Sequence, residues 1–446
     1  MEEYFRSCMM PAWEKFIKVL SASFSENSSQ GCNLWRLELV LLQAVSALAV
    51  TALAILIELA HGQGYEGARR ECPGCGGWMR FERYRSRHLL SNFGPLVYER
   101  AYYHCRQCHQ GYTPLDERLE VGHRAVTPRL GRLISFLAGH LSFGVVQEAL
   151  AESQGQRLSR EAVRLLAEES GQQALNWECA EEAQAQQEIR PVQSQPRAPK
   201  TWVIECDGKH VGYQDGSWHE VKVGVIYELS ARIESSPGRQ ELLKREIVAR
   251  RAHWEEFAGL FWSALQRAGV AAGDRVVAVA DGAEAMEQIF AFVAPAATRV
   301  RDFYHVSEKI HAVGEVRFGP GTAACQQWTS VQLHKLKRSA LQSVLRSIAH
   351  LKLSTAAARE TRRQVLHYLE KNRYAMDYAR YEQKGWPLGS GAVEGGCRLI
   401  GARTNGLGRR WCESGCDAIV ALRVAVLNNR LDLLLPVTKR FQQAAA

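Results

Sequence analysis

Apolar and polar positions along the chain change period several times, and each change marks an element. Residues 40–57 (VLLQAVSALAVTALAILI) are uncharged and Ala-rich, with Glu38 and Glu58 at their ends. That length meets the minimum for a membrane span, but acidic rather than basic flanks and the internal Gln43, Ser46 and Thr51 predict a buried or dimerising helix instead. WMRFERYRSRHLL and GPLVYERAYYHC then read as strands. Residues 127–172 carry three helical stretches, started by Thr127-Pro128, Ser142 and Ser159, with Gly155 breaking the chain before the last. From 178 to 200 the period lapses into a Gln-, Glu- and Pro-rich stretch, which reads as a linker.

Beyond the linker, TWVIECDGKHVGY is a strand expected to end at Asp207, and Gln214-Asp215-Gly216-Ser217 is a hairpin turn before WHEVKVGVIYEL. ELLKREIVAR reads as a third strand and WEEFAGLFWSALQRAG as a helix. RVVAVA, ending at Asp281, and TRVR each run into a further helix. The order β-β-β-α-β-α-β-α is that of a ribonuclease-H-like fold, a mixed sheet with helices on its faces.

Composition sharpens this in two places. With 446 residues, 46% hydrophobic and 23% charged, the chain is globular, and wholesale disorder, collagen and coiled-coil rod are excluded. The formal charge is +9, which favours a polyanionic partner. Residues 317–373 alone hold eleven Lys or Arg against Glu360 and Glu370, on a helical period. The stretch 317–384 therefore reads as a basic helical insertion, with Lys335, Lys337 and Arg338 placed to hold phosphate backbone.

The chain opens Met1-Glu2-Glu3 without the features of a signal peptide, so its twelve cysteines are read as reduced and its compartment as cytoplasmic. Cys72-Pro73-Gly74-Cys75 and Cys105-Arg106-Gln107-Cys108 form two knuckles framing a hairpin, the arrangement that holds one structural Zn²⁺ tetrahedrally. Cys412 and Cys416 share a helix face without such partners and read as buried thiols.

Asp207 and Asp281 sit where adjacent parallel strands bring carboxylates together, and Glu394 falls in the first turn of a helix opened by Pro387, Gly389 and Ser390. Three carboxylates are what two Mg²⁺ (or Mn²⁺) ions need for an in-line phosphoryl displacement. The third helix of the 127–172 group resembles the recognition helix of a helix-turn-helix and offers Arg160 and Arg164 to a DNA groove. Arg398, Arg403, Arg409 and Arg410 extend a basic edge beside Trp411.

Taken together, the double C-x-x-C followed by Pro114-Leu115-Asp116, D-G-K-H at 207–210, E-V-K-V-G at 220–224, D-G-A-E at 281–284, D-F-Y-H at 302–305 and G-S-G-A-V-E at 389–394 resemble a known family. They are similar to insertion-sequence transposases of the DDE class, in the Kra group related to Mutator-like elements, over roughly 70–430. The resemblance implies that Asp207, Asp281 and Glu394 bind the catalytic metals and that Asp302 and His305 form an accessory catalytic signature. Gly395-Gly396 is a flexible version of the usual helix start after the acid. It also implies cleavage at the ends of a mobile element and joining of 3′ hydroxyls to target DNA, by a homo-oligomer of at least two protomers acting on double-stranded DNA in a bacterial-type cytoplasm, without a membrane. Two competing readings are a non-catalytic DNA-binding regulator derived from a transposase, and a structure-selective nuclease on the same fold.

The expected layout is a multidomain α+β chain. It comprises an N-terminal helical region (1–66), a zinc ribbon (67–122), a helix-turn-helix-like module (123–177), the linker (178–200), a first part of the catalytic core (201–316), the basic insertion (317–384), a C-terminal helical part of the core (385–435) and a tail (436–446).

Overall fold

A computed structural model describes residues 2–27, 33–187, 198–236, 239–406 and 408–434 of a mixed α+β chain. The tail 436–446 and linker positions 188–197 lie outside the described residues. The chain divides into two compact units, one running to Leu166 and the other covering Ala167–Leu434.

The first unit opens with α1 (Glu2–Asn27) and α2 (Leu34–His61), the N-terminal helical region. Helix α2 starts where the sequence provides a cap, Asn33 accepting the Arg36 N–H at 3.0 Å. Its apolar run is not interior to the chain, however. Only Ala44 and Ile57 are buried, while Leu34, Trp35, Leu37, Leu41, Leu42, Val45 and Leu56 stand exposed. This corrects the expectation of a buried helix within the protomer: α2 packs beside α1 and meets the following sheet through Ile57, Ala54, Leu53 and Val50, and much of its apolar surface stays exposed. By length and composition it is the one helix, among the described residues, long and apolar enough to cross a membrane.

Strands β1 (Arg69–Glu71), β2 (Trp78–Ser91), β3 (Gly94–Cys105) and β4 (Gly111–Tyr112) form an antiparallel sheet in that order. Along the β2–β3 hairpin the covered face changes: on β3, Leu96 and Tyr98 are buried on one side, in a cluster with α2, and Ala101, Tyr103 and Cys105 on the other, beside the cysteines. A short helix, α3 (Pro114–Arg118), follows, and its Asp116 accepts the Tyr98 hydroxyl at 2.8 Å and pairs with Arg100.

Helices α4 (Pro128–His140), α5 (Phe143–Gln154) and α6 (Arg160–Gln187) take up the three helical stretches. Ser142 and Ser159 cap the second and third through their hydroxyls, and Gly155 closes α5 in the left-handed conformation at φ 65°. Helix α6 does not stop near 172. It runs through 178–187, where a linker was expected, because Glu178 and Glu182 are drawn in beside Arg250 at 3.0 and 2.6 Å. That pairing is made over a long sequence separation and overrides a weak local helical signal.

The second unit is built on a five-stranded sheet, ordered β11-β10-β5-β6-β9. The strands are β5 (Thr201–Gly212), β6 (Trp218–Glu228), β9 (Glu246–Arg250), β10 (Arg275–Ala280) and β11 (Thr298–Arg301), with β7 (Arg232–Ser236) and β8 (Arg239–Leu242) forming a separate hairpin. β5, β10 and β11 are parallel; β6 runs antiparallel to both β5 and β9. Two sequence expectations change. The stretch ELLKREIVAR divides between β8 and β9, and β5 continues past Asp207, its pairing with β6 holding from Trp202↔Glu228 to Gly212↔Trp218.

Period two along the sheet assigns its faces. Ile204, Cys206, Ile226, Val248, Ala278 and Ala280 meet α7 (Trp254–Ala268) and α8 (Glu284–Val293) in one core with Phe257, Phe261 and Phe290. Each such buried ring contributes roughly 1.5–3 kcal/mol. The opposite face receives α14 (Gly391–Thr404), whose Gly396 approaches Val223 and Val225 so closely that an added Cβ would stand 3.2 Å from each. α15 (Glu413–Leu427) packs beside it against β9.

Helix α9 (Phe303–Phe318) leaves the end of β11, and α10 (Ala323–Lys337), α11 (Leu341–Ala349), α12 (Ala356–Lys371) and α13 (Tyr378–Gln383) form the helical insertion before α14. The insertion is tied to the ends of the parallel strands by three tyrosine hydroxyls: Tyr368 donates to the Asp281 carbonyl at 2.6 Å, Tyr378 to Arg301 O at 2.9 Å and Tyr381 to Arg299 O at 3.2 Å.

Candidate active site and four-cysteine site

The two parallel strands β5 and β10 are in register with Val279 opposite Glu205. Counting on by two places Asp281 level with Asp207, both just past the last hydrogen-bonded pair between these strands. Asp207 lies on the sheet face that α14 covers. Burial, opposed by the Gly208 N–H and reinforced by the charge of Asp281, pushes the Asp207 carboxyl above its ordinary range, while His305 pulls it down. A half-buried acid raised by desolvation and further by a neighbouring carboxylate forms a site that a cation relieves.

Gly282 at φ 97° lets the chain turn away after Asp281 and leaves room for the guanidinium of Arg301, which an added Cβ would meet at 2.9 Å. Arg301 is fully buried and pairs with Glu287 of α8 at 2.8 Å. The Asp281 carboxylate itself accepts the Ala283 N–H at 2.8 Å, which shapes the turn into α8.

Glu394 is in the first turn of α14, half-buried, 3.3 Å from Arg398 one turn on. Cys397, three residues further on the same helix, donates its thiol to Asp207 Oδ2 at 3.8 Å, and burial pushes that thiol up to about 12. Glu394 thus faces the same side of α14 as a residue in contact with Asp207. The three carboxylates do not converge around one point: among the described residues, the only group of three or more candidate ligands whose donor atoms all lie within 4.8 Å is the cysteine cluster.

Asp302 and His305 separate in role. Asp302 is fully buried; Oδ1 accepts the N–H of Tyr304 and of His305, capping α9, and Oδ2 accepts the Ser390 N–H at 2.8 Å and the Ser390 hydroxyl. Its lone pairs are occupied by these donors. The His305 ring is part-exposed, with Nδ1 3.4 Å from Glu308 and its charge felt by Asp207.

Glu205 belongs to none of the sequence motifs, yet it joins the site. It is fully buried in the middle of β5, and its carboxylate accepts the Tyr227 hydroxyl and the Val393 N–H, each at 2.8 Å. Burial pushes it up to about 7, against the lowering effect of the Val393, Tyr227 and Ala392 donors. The signal was present: an acid inside an otherwise apolar strand, two residues before Asp207 and therefore on its face.

The basic candidates divide by exposure. Arg160, Lys337, Arg338, Arg398 and Arg410 are exposed, and Arg410 lies over the Trp218 ring at 5.5 Å. Arg164 is half-buried and forks onto Glu161, and Lys335 reaches Ser347 at 3.4 Å. Arg409 donates to the Ala402 and Arg403 carbonyls at 2.9 and 2.7 Å, closing the end of α14. Arg403 corrects the expectation of a continuous basic edge: it is 1% exposed, its guanidinium 5.1 Å from the Trp411 ring, and burial with the charges of Arg409 and Arg423 lowers it to about 9. A group so enclosed does not present itself to phosphate. Cys412 likewise departs from expectation, being exposed at the start of α15, whereas Cys416 is buried.

The first unit holds the second site. Cys72, Cys75, Cys105 and Cys108 bring their sulfurs within 4.8 Å of one another, with Cys72 to Cys108 and Cys75 to Cys105 each at 3.6 Å. A tetrahedral zinc with bonds of about 2.3 Å needs sulfur separations near 3.8 Å, so the cluster has the right size. Each knuckle is set by its backbone: Gly76 N–H donates to the Cys72 carbonyl at 2.9 Å and Cys105 N–H to the Gln110 carbonyl at 2.9 Å. The core beneath is Met79, Ala101 and Tyr103, none of them exposed.

Comparison with known proteins places this chain. A protein of Streptococcus gallolyticus described as "UPF0236 protein in vanSb 3′ region" is 24% identical over 371 residues, which cover 80% of this chain and 76% of that protein. A model of the uncharacterised protein family UPF0236 matches residues 27–432. With all of both sites inside that match, the chain belongs to the uncharacterised protein family UPF0236.

Proposed function

We propose that this protein is a DNA transposase of the DDE class, which binds the ends of its own mobile element and carries out metal-dependent strand cleavage and strand transfer with Asp207, Asp281 and Glu394. The observation that carries the reading is the level placement of Asp207 and Asp281 just past the last paired positions of the adjacent parallel strands β5 and β10, with the helix bearing Glu394 laid across the same face. The strand order β11-β10-β5-β6-β9, with β6 antiparallel to the central strand, supports a ribonuclease-H-like core, to which the motif resemblance also points.

The donor set fits hard divalent cations: three carboxylates, with the charge of Asp281 raising the proton affinity of Asp207. When bound, such ions activate a hydroxyl and stabilise the leaving oxygen in phosphoryl displacement. The chain's own groups do the rest. Asp207 would hold the ions from within β5, Asp281 from the end of β10, and Glu394 from α14. Asp302 positions α9 and α14 from within the core, and His305 stands at the rim, where it meets the scissile strand. The Tyr368 hydroxyl on the Asp281 carbonyl keeps the strand end in place.

DNA is held, in this reading, by the exposed cations of the insertion and of α14, by Arg160 and Arg164 of α6, and by the ribbon with one structural Zn²⁺. The uncovered apolar face of α2 supports assembly of at least two protomers on two element ends. Metal-dependent nicking of DNA by the purified protein, abolished by Asp281→Asn while DNA binding persists, is the expected result; binding without any cleavage under Mg²⁺ or Mn²⁺ favours the regulator instead.

A further inference from the structure

We infer that Glu205 is a positioning residue for the acid site, fixing the first turn of α14 and with it the place of Glu394. The inference rests on the metal-binding reading of Asp207, Asp281 and Glu394.

A helix leaves the N–H groups of its first turn without partners, and the residue before it commonly supplies a side-chain oxygen. Here that residue is Ser390, and it makes no such bond to its own helix. Its hydroxyl is turned to Asp302 instead. The N–H groups of Ala392 and Val393 are met from another element altogether, by the Glu205 carboxylate of the central strand. The carboxylate is held from its other side by the Tyr227 hydroxyl of β6, at 2.8 Å. Glu205 thus acts as a remote cap, its carboxyl oxygens accepting the first N–H groups of the helix from a neighbouring strand.

The consequence for the site is geometric. Glu205 and Asp207 share one strand and one face, and the residue after Val393 is Glu394. One buried carboxylate therefore joins the strand that carries the first acid to the turn that carries the third. Asp302 grips the same turn one step earlier, so the opening of α14 is anchored both to β5 and to the turn after β11. Loss of a group that orients a metal ligand typically weakens metal affinity about 10–100-fold.

The test uses the full-length zinc-loaded protein, with Mn²⁺ affinity measured by electron paramagnetic resonance and amide hydrogen exchange followed over 390–397. Glu205→Val, β-branched and suited to a central strand, is expected to speed exchange at 391–394 and weaken Mn²⁺ about tenfold or more. Glu205→Gln keeps an acceptor oxygen at the same reach and should stay close to wild type. Glu205→Asp keeps the carboxyl group but falls one methylene short, and should weaken Mn²⁺ more than Gln does. A role in stability alone predicts no such order, since it moves the melting temperature and leaves Mn²⁺ affinity of the folded protein unchanged. Should the Val variant fail to fold, the Gln and Asp variants decide: Asp binding Mn²⁺ as well as Gln overturns the inference. A Val variant that folds and binds Mn²⁺ like wild type also overturns it. Wild type that binds no Mn²⁺ overturns the metal reading itself, and this inference with it.

Discussion

Asp302 accepts both the backbone N–H and the hydroxyl of Ser390, which joins the turn after β11 to the start of α14 across 88 positions of sequence. The same carboxylate caps α9 through Tyr304 and His305. Asp302→Ala strands several buried donors at once, each worth about 1–3 kcal/mol when left unmet. The variant should lose about 2–4 kcal/mol in urea unfolding. A loss under about 0.5 kcal/mol, the range of ordinary surface changes, would show that these bonds do not hold the helix starts.

Glu205 makes stability depend on pH in a direction that is uncommon for a carboxylate. Its folded-state value, about 7, lies above the ordinary 4.5, so the folded protein holds a proton that the unfolded chain releases. Stability from this group is fully present below the unfolded value, falls as pH rises between the two, and is lost above about 7. The full swing is on the order of 3 kcal/mol. Glu205→Gln removes it, so the stability of the variant relative to wild type should rise from pH 4.5 to 7 in urea melts without added divalent ions. A difference that stays flat across that range would show that Glu205 titrates as an exposed acid does.

The four cysteines should hold one zinc per chain. Cys105→Ser or a strong chelator should remove the metal, raise hydrogen exchange across β1–β4 and cost several kcal/mol, since binding energy in such sites is folding energy. Elemental analysis finding no zinc in protein whose β2–β3 hairpin is nonetheless protected would reject the site.

Arg403 and its neighbours should separate cleanly. Replacing the exposed pair Arg398 and Arg410 with Ala should reduce the slope of log affinity for DNA against log salt by up to about 2, roughly 0.9 for each phosphate no longer neutralised. Lys335, Lys337 and Arg338, replaced together, should flatten it further. Arg403→Ala should lower thermal stability by removing a buried group packed on Trp411, and leave the slope of the folded protein unchanged. A slope change at Arg403 equal to that at Arg398 would contradict the buried placement.

Much of this arrangement is legible in the sequence because it is local. The alternation in TWVIECDGKH and WHEVKVGVIY specifies β5 and β6, Gly216 closes their turn at φ 87°, and the spacing of the cysteines specifies a four-sulfur site. What escaped depends on partners distant in sequence. Helix α6 extends to Gln187 because Arg250 of β9 receives its glutamates. β5 outruns Asp207 because β6 continues to pair with it. Arg403 is enclosed by Trp411, eight residues on and across a turn, which no helical period reveals. Glu205 looks like an interruption of an apolar strand until α14 is laid over it.

In the proposed reaction Asp207, Asp281 and Glu394 act together in cutting and joining DNA. The most direct measurement incubates the purified protein with labelled DNA from the flanks of its own reading frame, with Mg²⁺ or Mn²⁺, beside Glu394→Gln. Cleavage at a defined end followed by joining to a second DNA, both absent in the variant while DNA binding persists, is the expected result. Cleavage and joining by Glu394→Gln at the wild-type rate, or tight binding with no cleavage by either protein, would contradict it.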